Sequence, residues 1–401
     1  MANDRWNESQ SERASRLMRI GIVGAGKMGL SHYAIANALP NASVAAVCDT
    51  SRYILSVLRK YAGIETHTSY EEMIDQARLD CIFVATPTSM HFECAKHALE
   101  RDLHVFVEKP LTLSAAESRT LADLAAQRGR VNMVGFHNRY IGTFREARRL
   151  LQAGALGRVT SIHGSAFGPV VVKQQASTWR SRKAEGGGCL HDYACHVVDL
   201  MNFLVGPPTK VFKARMQSIF SRNVEDAVSA EFEYRGGAVG TLETNWSDDS
   251  VRKMTTKINI QCTNGELAVD RQELKVLCGT AFDGYQEGWN TRWITDLQEG
   301  VAFYLRGEEY SAQVAAFLSA IRSGSAVHDT RLPALTRPTG SWTSSPAQTR
   351  PPLEEPARHG SNPLWRQSIL RRESYIGGES APTVGPVQGN ELHHSRAGRC
   401  I

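Results

Sequence analysis

Residues 20–29 read Ile-Gly-Ile-Val-Gly-Ala-Gly-Lys-Met-Gly, a short apolar run that ends in three glycines spaced G-x-G-x-x-G. A helix-like segment, residues 30–39, follows at once. The pattern predicts a strand that turns tightly into a helix: Gly24 permits the turn, Gly26 lets a pyrophosphate approach the backbone, and Gly29 lets helix and strand pack closely. The free N–H groups at the start of that helix would face the phosphates of a dinucleotide. A structural glycine turn is the alternative for an isolated motif.

The next predicted strand, residues 44–48, ends at Asp49, which lies 20 residues after Gly29. An acidic residue at that distance would bond a ribose 2′-hydroxyl and repel a 2′-phosphate, so Asp49 favours NAD as the cofactor. Arg52 follows closely and could instead receive a 2′-phosphate, which keeps NADP as the alternative.

The composition excludes several classes of function. The chain has 401 residues, 42% of them hydrophobic, which predicts two or three domains with sizeable cores. The net charge of +5 is small and the arginines are scattered, so we expect no nucleic-acid partner. We find no apolar run near the ~18 residues of a membrane span and no signal-peptide pattern over residues 1–19. The eight cysteines form no C-x-x-C pair and predict reduced thiols in a cytoplasmic protein.

Strand and helix patterns alternate through the first third of the chain. This alternation predicts a doubly wound parallel sheet over residues 18–135, after a disordered leader at residues 1–17. The predicted strands are residues 20–23, 44–48, 80–85, 103–107 and 131–135, and the predicted helices include residues 70–77, 91–100 and 114–128.

Glu108, Lys109 and Pro110 follow one of these strands. Ligands of doubly wound sheets bind beyond the carboxyl ends of the strands, so Lys109 would stand where chemistry occurs. Pro110 fixes the backbone and could form a cis peptide bond. The alternative for Lys109 is an exposed lysine at a strand end.

Three glycines at 186–188 precede a predicted helix that carries Asp192, His196 and Asp199. Their spacing of i, i+4 and i+7 places them on one helix face, where Asp192 could orient the imidazole and stabilise its charged form. That arrangement suits a general base near neutral pH. A buried core histidine is the alternative.

A metal site is an alternative for the same segment, because Cys189, His191, Cys195 and His196 lie close together in sequence. Thiolates and neutral imidazoles bind zinc, but this spacing matches no standard zinc module. We therefore expect no metal.

A second domain is predicted over residues 136–326. It begins with a helix at residues 136–151 and becomes rich in alternating strands, which predicts a large, mostly antiparallel open sheet with helices on one face. The predicted strands are residues 210–219, 227–234, 238–246, 253–262 and 266–269, and an amphipathic helix at residues 310–323 closes the domain.

Together these residues resemble the glucose-fructose oxidoreductase / inositol dehydrogenase / rhizopine-catabolism (Gfo/Idh/MocA) family over residues 19–325. The motifs that carry the resemblance are residues 24–29, residues 85–87 with His91, residues 108–110, and Gly187-Gly188 followed by Asp192 and His196. The resemblance implies an N-terminal Rossmann domain and a C-terminal α+β domain. It also implies an oxidoreductase that transfers hydride between NAD(P) and a sugar or polyol.

The resemblance further implies roles for individual residues. Lys109 would hydrogen-bond the reacting oxygen, His196 would take the hydroxyl proton, and Asp192 would hold the substrate. The implied cofactor site is Gly24, Gly26, Lys27, Met28, Gly29, Asp49, Arg52, Thr86, Pro87, His91 and Glu108. The implied substrate site is Lys109, Arg139, Trp179, Arg180, Asp192 and His196. The family also implies a homo-dimer or homo-tetramer.

Two other functions fit the same fold: an NAD-dependent glycosidase, which would oxidise its substrate transiently, and a non-catalytic dinucleotide-binding regulator. Retention of Lys109, Asp192 and His196 argues against the regulator, because a sensor would not need that set.

The amino-acid composition changes from about Val327, and nine of the chain's 15 prolines lie at position 333 or later. A segment of this composition cannot bury enough apolar surface to offset ordering entropy, so residues 327–401 are predicted to be disordered. The resembled family usually continues into a further helix here. A frame change near Val327 is therefore one hypothesis, and a genuine regulatory or linker tail is the other.

Overall fold

A parallel sheet is built from the strands that alternate with helices in the first third of the chain. We describe a computed structural model over residues 17–174 and 178–324; the predictions for the leader before Leu17 and for residues 327–401 lie outside these residues. The strands are β1 (Met18–Val23), β2 (Ala42–Cys48), β3 (Glu65–His67), β4 (Cys81–Val84), β5 (His104–Val107) and β6 (Asn132–Val134). Their order in the sheet is β3-β2-β1-β4-β5-β6, and every pair is parallel.

The helices of this part connect successive strands, as a doubly wound sheet requires. They are α1 (Lys27–Ala38), α2 (Arg52–Ala62), α3 (Tyr70–Gln76), α4 (His91–Glu100) and α5 (Ala115–Gln127). Strands β4 and β5 are buried along their whole length, because helices cover both sheet faces. The predicted parallel sheet is therefore confirmed, with β3 and α2 as additions.

The second sheet has eight strands, and all its pairs except one are antiparallel. The strands are β7 (Val159–Phe167), β8 (Lys210–Gln217), β9 (Ala227–Glu233), β10 (Val239–Asn245), β11 (Lys257–Cys262), β12 (Gly265–Asp270), β13 (Glu273–Cys278) and β14 (Gly288–Trp293). The sheet order is β14-β13-β12-β11-β7-β10-β9-β8, with β7 and β10 parallel. This confirms the predicted mostly antiparallel sheet, which also contains β7, β13 and β14.

Helices α6 (Gly142–Gln152) and α7 (Cys195–Val205) pack against one face of this sheet, together with the short α8 (Ile294–Leu297). Side chains on β9 alternate between buried and exposed, because only one face is covered. The helix predicted over residues 136–151 is divided: a 3₁₀ turn at His137–Tyr140 precedes α6.

The last described helix, α9 (Glu308–Ser323), packs into the core of the first sheet rather than the second. Its Phe317 ring lies edge-on to Phe83 of β4 and Phe106 of β5, with centroids 5.4 and 5.8 Å away. The predicted helix at residues 310–323 is confirmed, and its buried face belongs to the first core, which amphipathicity could not show because it indicates that a face is buried but not what covers it. The other domain boundaries stay predictions.

Helices of the length and apolarity that a bilayer crossing requires are not found within residues 17–174 and 178–324.

Candidate active site

The glycine loop between β1 and α1 has the tight geometry that its sequence predicts. Gly24 has a φ of +97°, and a Cβ there would lie 2.6 Å from the Ala85 carbonyl oxygen. A Cβ on Gly29 would collide with the backbone carbonyl of Gly24. In contrast, a Cβ on Gly26 would meet nothing within 4 Å. The loop is therefore closely packed at Gly24 and Gly29 and open at Gly26.

This loop and the end of β2 fit an NAD molecule. Gly26 is the N-cap of α1 and no side chain caps that helix, which leaves its first N–H groups for a pyrophosphate. The Asp49 carboxylate accepts hydrogen bonds from the Ala25 N–H (2.6 Å) and the Ser51 N–H (2.7 Å), so it is held beside the loop. Arg52 is exposed at the start of α2, and Lys27 is exposed at the start of α1.

Lys109 follows β5 and begins a cis peptide bond with Pro110. Its Nζ donates to Asp192 Oδ1 at 3.0 Å and to the Asp192 carbonyl at 3.2 Å. Burial opposes the charged form, but Cys195, Asp192 and Glu108 outweigh it and raise the Lys109 pKa above its usual 10.5. Lys109 is therefore an ammonium at neutral pH.

Asp192 joins two cations, because its Oδ2 also accepts from Arg180 Nε at 3.1 Å. Burial favours the protonated acid, whereas Lys109 and Arg180 lower the Asp192 pKa and keep it ionised. The Arg180 guanidinium lies 4.5 Å from the centre of the Trp179 ring, so these two predicted substrate residues act as one unit beside Asp192.

His196 is buried near Lys109, but it does not bond Asp192 as predicted. Its Nδ1 has no hydrogen-bond partner among the described residues, and the Asp192 carboxylate is engaged by Lys109 and Arg180 instead. The i, i+4 spacing fails because residues Leu190–Ala194 form a π-helical turn before α7 begins. Burial, Lys109, His137 and Arg271 lower the His196 pKa well below 6.5, so this imidazole is neutral.

His137 and Tyr310 form a cluster of rings with His196, and the sequence alone did not point to Tyr310. The His137 ring stacks on Tyr310 (centroids 4.3 Å) and meets His196 edge-on at 5.2 Å. Burial lowers the pKa of His137 to about 3, with Arg271 and Lys109 adding to the effect. Tyr310 lies on α9, so the helix that fills the first core also reaches the site.

The segment after β4, which contains Thr86, Pro87 and His91, contacts the backbone that follows Lys109. His91 Nε2 lies 3.0 Å from the Thr86 carbonyl oxygen, and its Nδ1 lies 2.9 Å from the Pro110 carbonyl oxygen. His91 is 1% exposed, so it is an internal link rather than a ligand-facing group in this structure.

Glu108 and Arg139, predicted for the cofactor and substrate sites, are likewise bonded inside the protein. Glu108 pairs with His32 of α1 at 2.8 Å. Arg139 forms a two-pronged pair with Asp199 of α7 at 2.8 and 2.5 Å. Both pairs connect elements that surround Lys109 and His196, which makes them supports of the site.

The cysteines of this segment have other partners. Cys189 Sγ donates to Thr244 Oγ1 at 3.5 Å, and Cys195 Sγ donates to the His191 carbonyl at 2.9 Å. Burial raises the pKa of each thiol to about 12.

Comparison with known proteins places this arrangement in a family. Residues 18–136 match the model of an oxidoreductase family with an NAD-binding Rossmann fold, and residues 144–268 match the Gfo/Idh/MocA C-terminal domain. The chain belongs to the Gfo/Idh/MocA family. Its first domain is thus an NAD-binding Rossmann domain.

Curated relatives of this Gfo/Idh/MocA chain include several sugar and polyol enzymes. The rhizopine catabolism protein MocA of Rhizobium meliloti is 30% identical over 232 residues, which cover 56% of this chain and 70% of that protein. Levoglucosan dehydrogenase of Pseudarthrobacter phenanthrenivorans is 27% identical over 65% of this chain and 76% of that protein. Inositol 2-dehydrogenase of Leifsonia xyli is 25% identical over 77% of this chain and 86% of that protein.

Solved structures show the same fold. Levoglucosan dehydrogenase in complex with NADH and levoglucosan aligns with a TM-score of 0.70 at 23% identity, covering 78% of this chain and 92% of that one. An oxidoreductase domain protein from Kribbella flavida aligns with a TM-score of 0.72 at 24% identity, covering 79% of this chain and 92% of that one.

Proposed function

We propose that this chain is an NAD-dependent dehydrogenase that oxidises a hydroxyl of a sugar or polyol, or reduces the corresponding carbonyl. The observation that carries the proposal is the position of the Lys109 ammonium at the carboxyl end of β5, held by Asp192 and beside the neutral imidazole of His196. The names of the relatives, which include levoglucosan and inositol dehydrogenases, support the substrate class.

The glycine loop and Asp49 would hold NAD, which would supply the acceptor for the hydride of the carbinol carbon. The chain's own groups hold the reacting oxygen and remove its proton. As the hydroxyl loses its proton, negative charge develops on its oxygen, and the Lys109 ammonium stabilises that charge until loss of hydride from the carbinol carbon completes the carbonyl. Asp192 fixes the ammonium through its hydrogen bond of 3.0 Å, so the donor is in place before the reaction begins.

His196 is the proton acceptor in this proposal. Its low pKa keeps the imidazole unprotonated at neutral pH, and one nitrogen lacks a partner among the described residues. Asp192 holds Lys109 and Arg180 in this scheme rather than orienting His196.

Cofactor preference follows from Asp49. A carboxylate already held by two backbone N–H groups can accept the ribose 2′-hydroxyl but would repel a 2′-phosphate, so NAD is preferred over NADP.

We further expect a cytoplasmic homo-dimer or homo-tetramer. The second sheet exposes large apolar side chains on its edge strands, with Phe212 of β8 52% exposed and Trp289 of β14 61% exposed. These rings lie at opposite edges of the described sheet, and the expectation of a homo-oligomer comes from the family resemblance. Light scattering of the purified protein measures its mass.

Incubation of the full chain with NAD and a panel of sugars, inositols and glycosides tests the function. Net NADH absorbance is expected for a dehydrogenase. Release of the aglycone from a glycoside without net NADH would instead indicate the glycosidase. Binding of NAD with neither product across the panel would favour the regulator and contradict the proposal.

A further inference from the structure

A cavity of ≈ 350 Å³ adjoins the site through Arg180, which lines the cavity and also donates to Asp192. The cavity wall includes Arg180 and Arg222, the polar side chains of Gln174 and Asn223, and the ring of Phe220. Its volume is in the range of small-molecule sites. The described residues that line it include two arginines and no acidic side chain.

Both arginines have guanidinium N–H groups that are available to bind a ligand. Arg180 uses Nε for Asp192, and its terminal NH₂ groups have no hydrogen-bond partner within the part of the chain that the structure describes. Among the described residues, Arg222 makes one long contact, from Nη2 to Gln174 Oε1 at 3.4 Å. Guanidinium donors of this kind form strong, often two-pronged hydrogen bonds with carboxylates and phosphates.

The wall that carries Arg222 is fixed in place by a buried carboxylate. Asp226 accepts from the N–H groups of Ile219, Phe220 and Ser221 at 2.6–2.8 Å, and its Oδ1 accepts from Trp246 Nε1 at 2.6 Å. Both Asp226 oxygens are engaged by these hydrogen bonds, and Asp226 is not one of the residues that line the cavity. The loop is therefore organised before any ligand arrives, which favours binding.

Arg180 is shared between this cavity and the catalytic cluster. Its Nε is one hydrogen bond from Asp192, and Asp192 is one hydrogen bond from Lys109. A ligand that reaches from Lys109 past Arg180 would therefore place a distal group against the arginines.

We propose that this cavity is a second compartment of the substrate site and that it receives an anionic group, a carboxylate or a phosphate, carried by the sugar or polyol. This inference rests on the proposed dehydrogenase function and narrows its substrate class to acidic sugars or polyols. The hydroxyl near Lys109 reacts, and the anionic group at the other end of the molecule is bound by Arg222 and Arg180.

The test compares kcat/KM of the NAD-supplied full chain, at one ionic strength, on matched neutral and acidic compounds. D-galactose is compared with D-galacturonate, and D-glucose is compared with D-glucuronate and D-glucose 6-phosphate. Comparison of D-glucuronate with D-glucose 6-phosphate distinguishes a carboxylate site from a phosphate site. We expect at least one acidic compound to exceed its neutral partner by roughly 10-fold or more, the gain typical of a charge-assisted contact.

Arg222→Gln should lower kcat/KM for the acidic compound by roughly 10- to 100-fold and change that of its neutral partner by less than about twofold. Arg222 is exposed, and its contact to Gln174 is the one hydrogen bond it makes with a described residue, so the variant should fold. Arg235→Gln is the matched control. This variant removes the same charge from the hairpin turn after β9, at the opposite end of β10 from the cavity residue Trp246. The rise of β10 places the turn roughly 20 Å from Trp246. Arg235→Gln should change kcat/KM for neither the acidic nor the neutral compound.

Preference for neutral sugars with measurable turnover, or an Arg222→Gln effect that is equal on both classes, would overturn the acidic compartment while leaving the dehydrogenase intact. Turnover of none of these compounds would count against the dehydrogenase instead. Titration calorimetry with D-glucuronate and glucose 6-phosphate then tests the anion site without turnover. Binding that weakens in Arg222→Gln but not in Arg235→Gln would support the anion site. Absence of binding to the parent chain would overturn it.

Discussion

Two glycines of one loop, Gly26 and Gly29, should fail in different ways when each is replaced by alanine. At Gly29 the new Cβ would lie 2.9 Å from the Gly24 carbonyl carbon and closer still to its oxygen. Both are backbone atoms, so no side-chain rotation can relieve the collision. We expect Gly29→Ala to lower the free energy of unfolding by about 3 kcal/mol, at the upper end of overpacking effects. The melting temperature of the NAD-free protein would then fall by roughly 6–12 °C.

At Gly26 the new Cβ meets no atom within 4 Å, and the extended backbone there (φ −72°, ψ −170°) suits alanine. Gly26→Ala should therefore lower stability by only about 0.5 kcal/mol, the difference between glycine and alanine at an N-cap. Its methyl group would stand where the pyrophosphate approaches, so NAD affinity should fall by roughly 10-fold or more.

Scanning calorimetry without NAD and titration calorimetry with NAD separate the two effects. Equal losses of stability in both variants would refute the packing argument. Unchanged NAD affinity in Gly26→Ala would refute the position assigned to the pyrophosphate.

Three further predictions concern the ribose, the proton relay and the last helix. Asp49→Ser should raise the ratio of NADP to NAD turnover by roughly 10-fold or more, and an unchanged ratio in steady-state assays would contradict the ribose role. The His196 pKa lies below 6.5 and that of Lys109 above 10.5, so His196 is unprotonated and Lys109 charged between these values. kcat/KM for hydroxyl oxidation should therefore be flat between about pH 7 and 10, and an acid limb with an apparent pKa above 6.5 would count against this assignment. Phe317→Ala should lower the free energy of unfolding by about 3–5 kcal/mol in urea titration, whereas a change under about 1 kcal/mol would mean that α9 is not part of the first core.

The parallel sheet was predictable because buried strands such as β4 and β5 have continuous apolar sequences, and the glycine loop fixes where the first strand turns. Strand β3 (Glu65–His67) was missed because it is three residues long and lies at the sheet edge, where two of its residues are half-buried. Such a strand has no room for a periodic pattern.

Strands β7 and β14 were missed for another reason. Strand β7 is central in its sheet, between β10 and β11, and its sequence mixes glycine and serine among apolar residues. A Cβ at Gly164 of β7 would press on Val197 of α7, so this glycine marks close helix packing, which a strand-propensity pattern does not show. In β14, half-buried and exposed positions alternate, but the half-buried side consists of Gly288, Asn290 and Arg292, so the sequence shows no apolar face.

The site was only partly predictable. Lys109, Asp192, Arg180 and His196 do come together, as the motifs indicate. The bonding within the cluster differs, because the π-helical turn at Leu190–Ala194 breaks the i, i+4 geometry that an α-helix would impose. Tyr310 reaches the cluster from a helix far along the chain, which only the three-dimensional packing reveals.

The central claim is that Lys109 and His196 move the proton and stabilise charge while the glycine loop holds NAD. The most direct measurement is the rate of NADH formation by Lys109→Met and His196→Gln on an oxidised substrate, with NAD affinity measured in the same preparations. We predict that each variant loses roughly 10²- to 10⁴-fold in kcat and binds NAD within about threefold of the parent chain. Turnover close to that of the parent chain in either variant would contradict the role assigned to that residue.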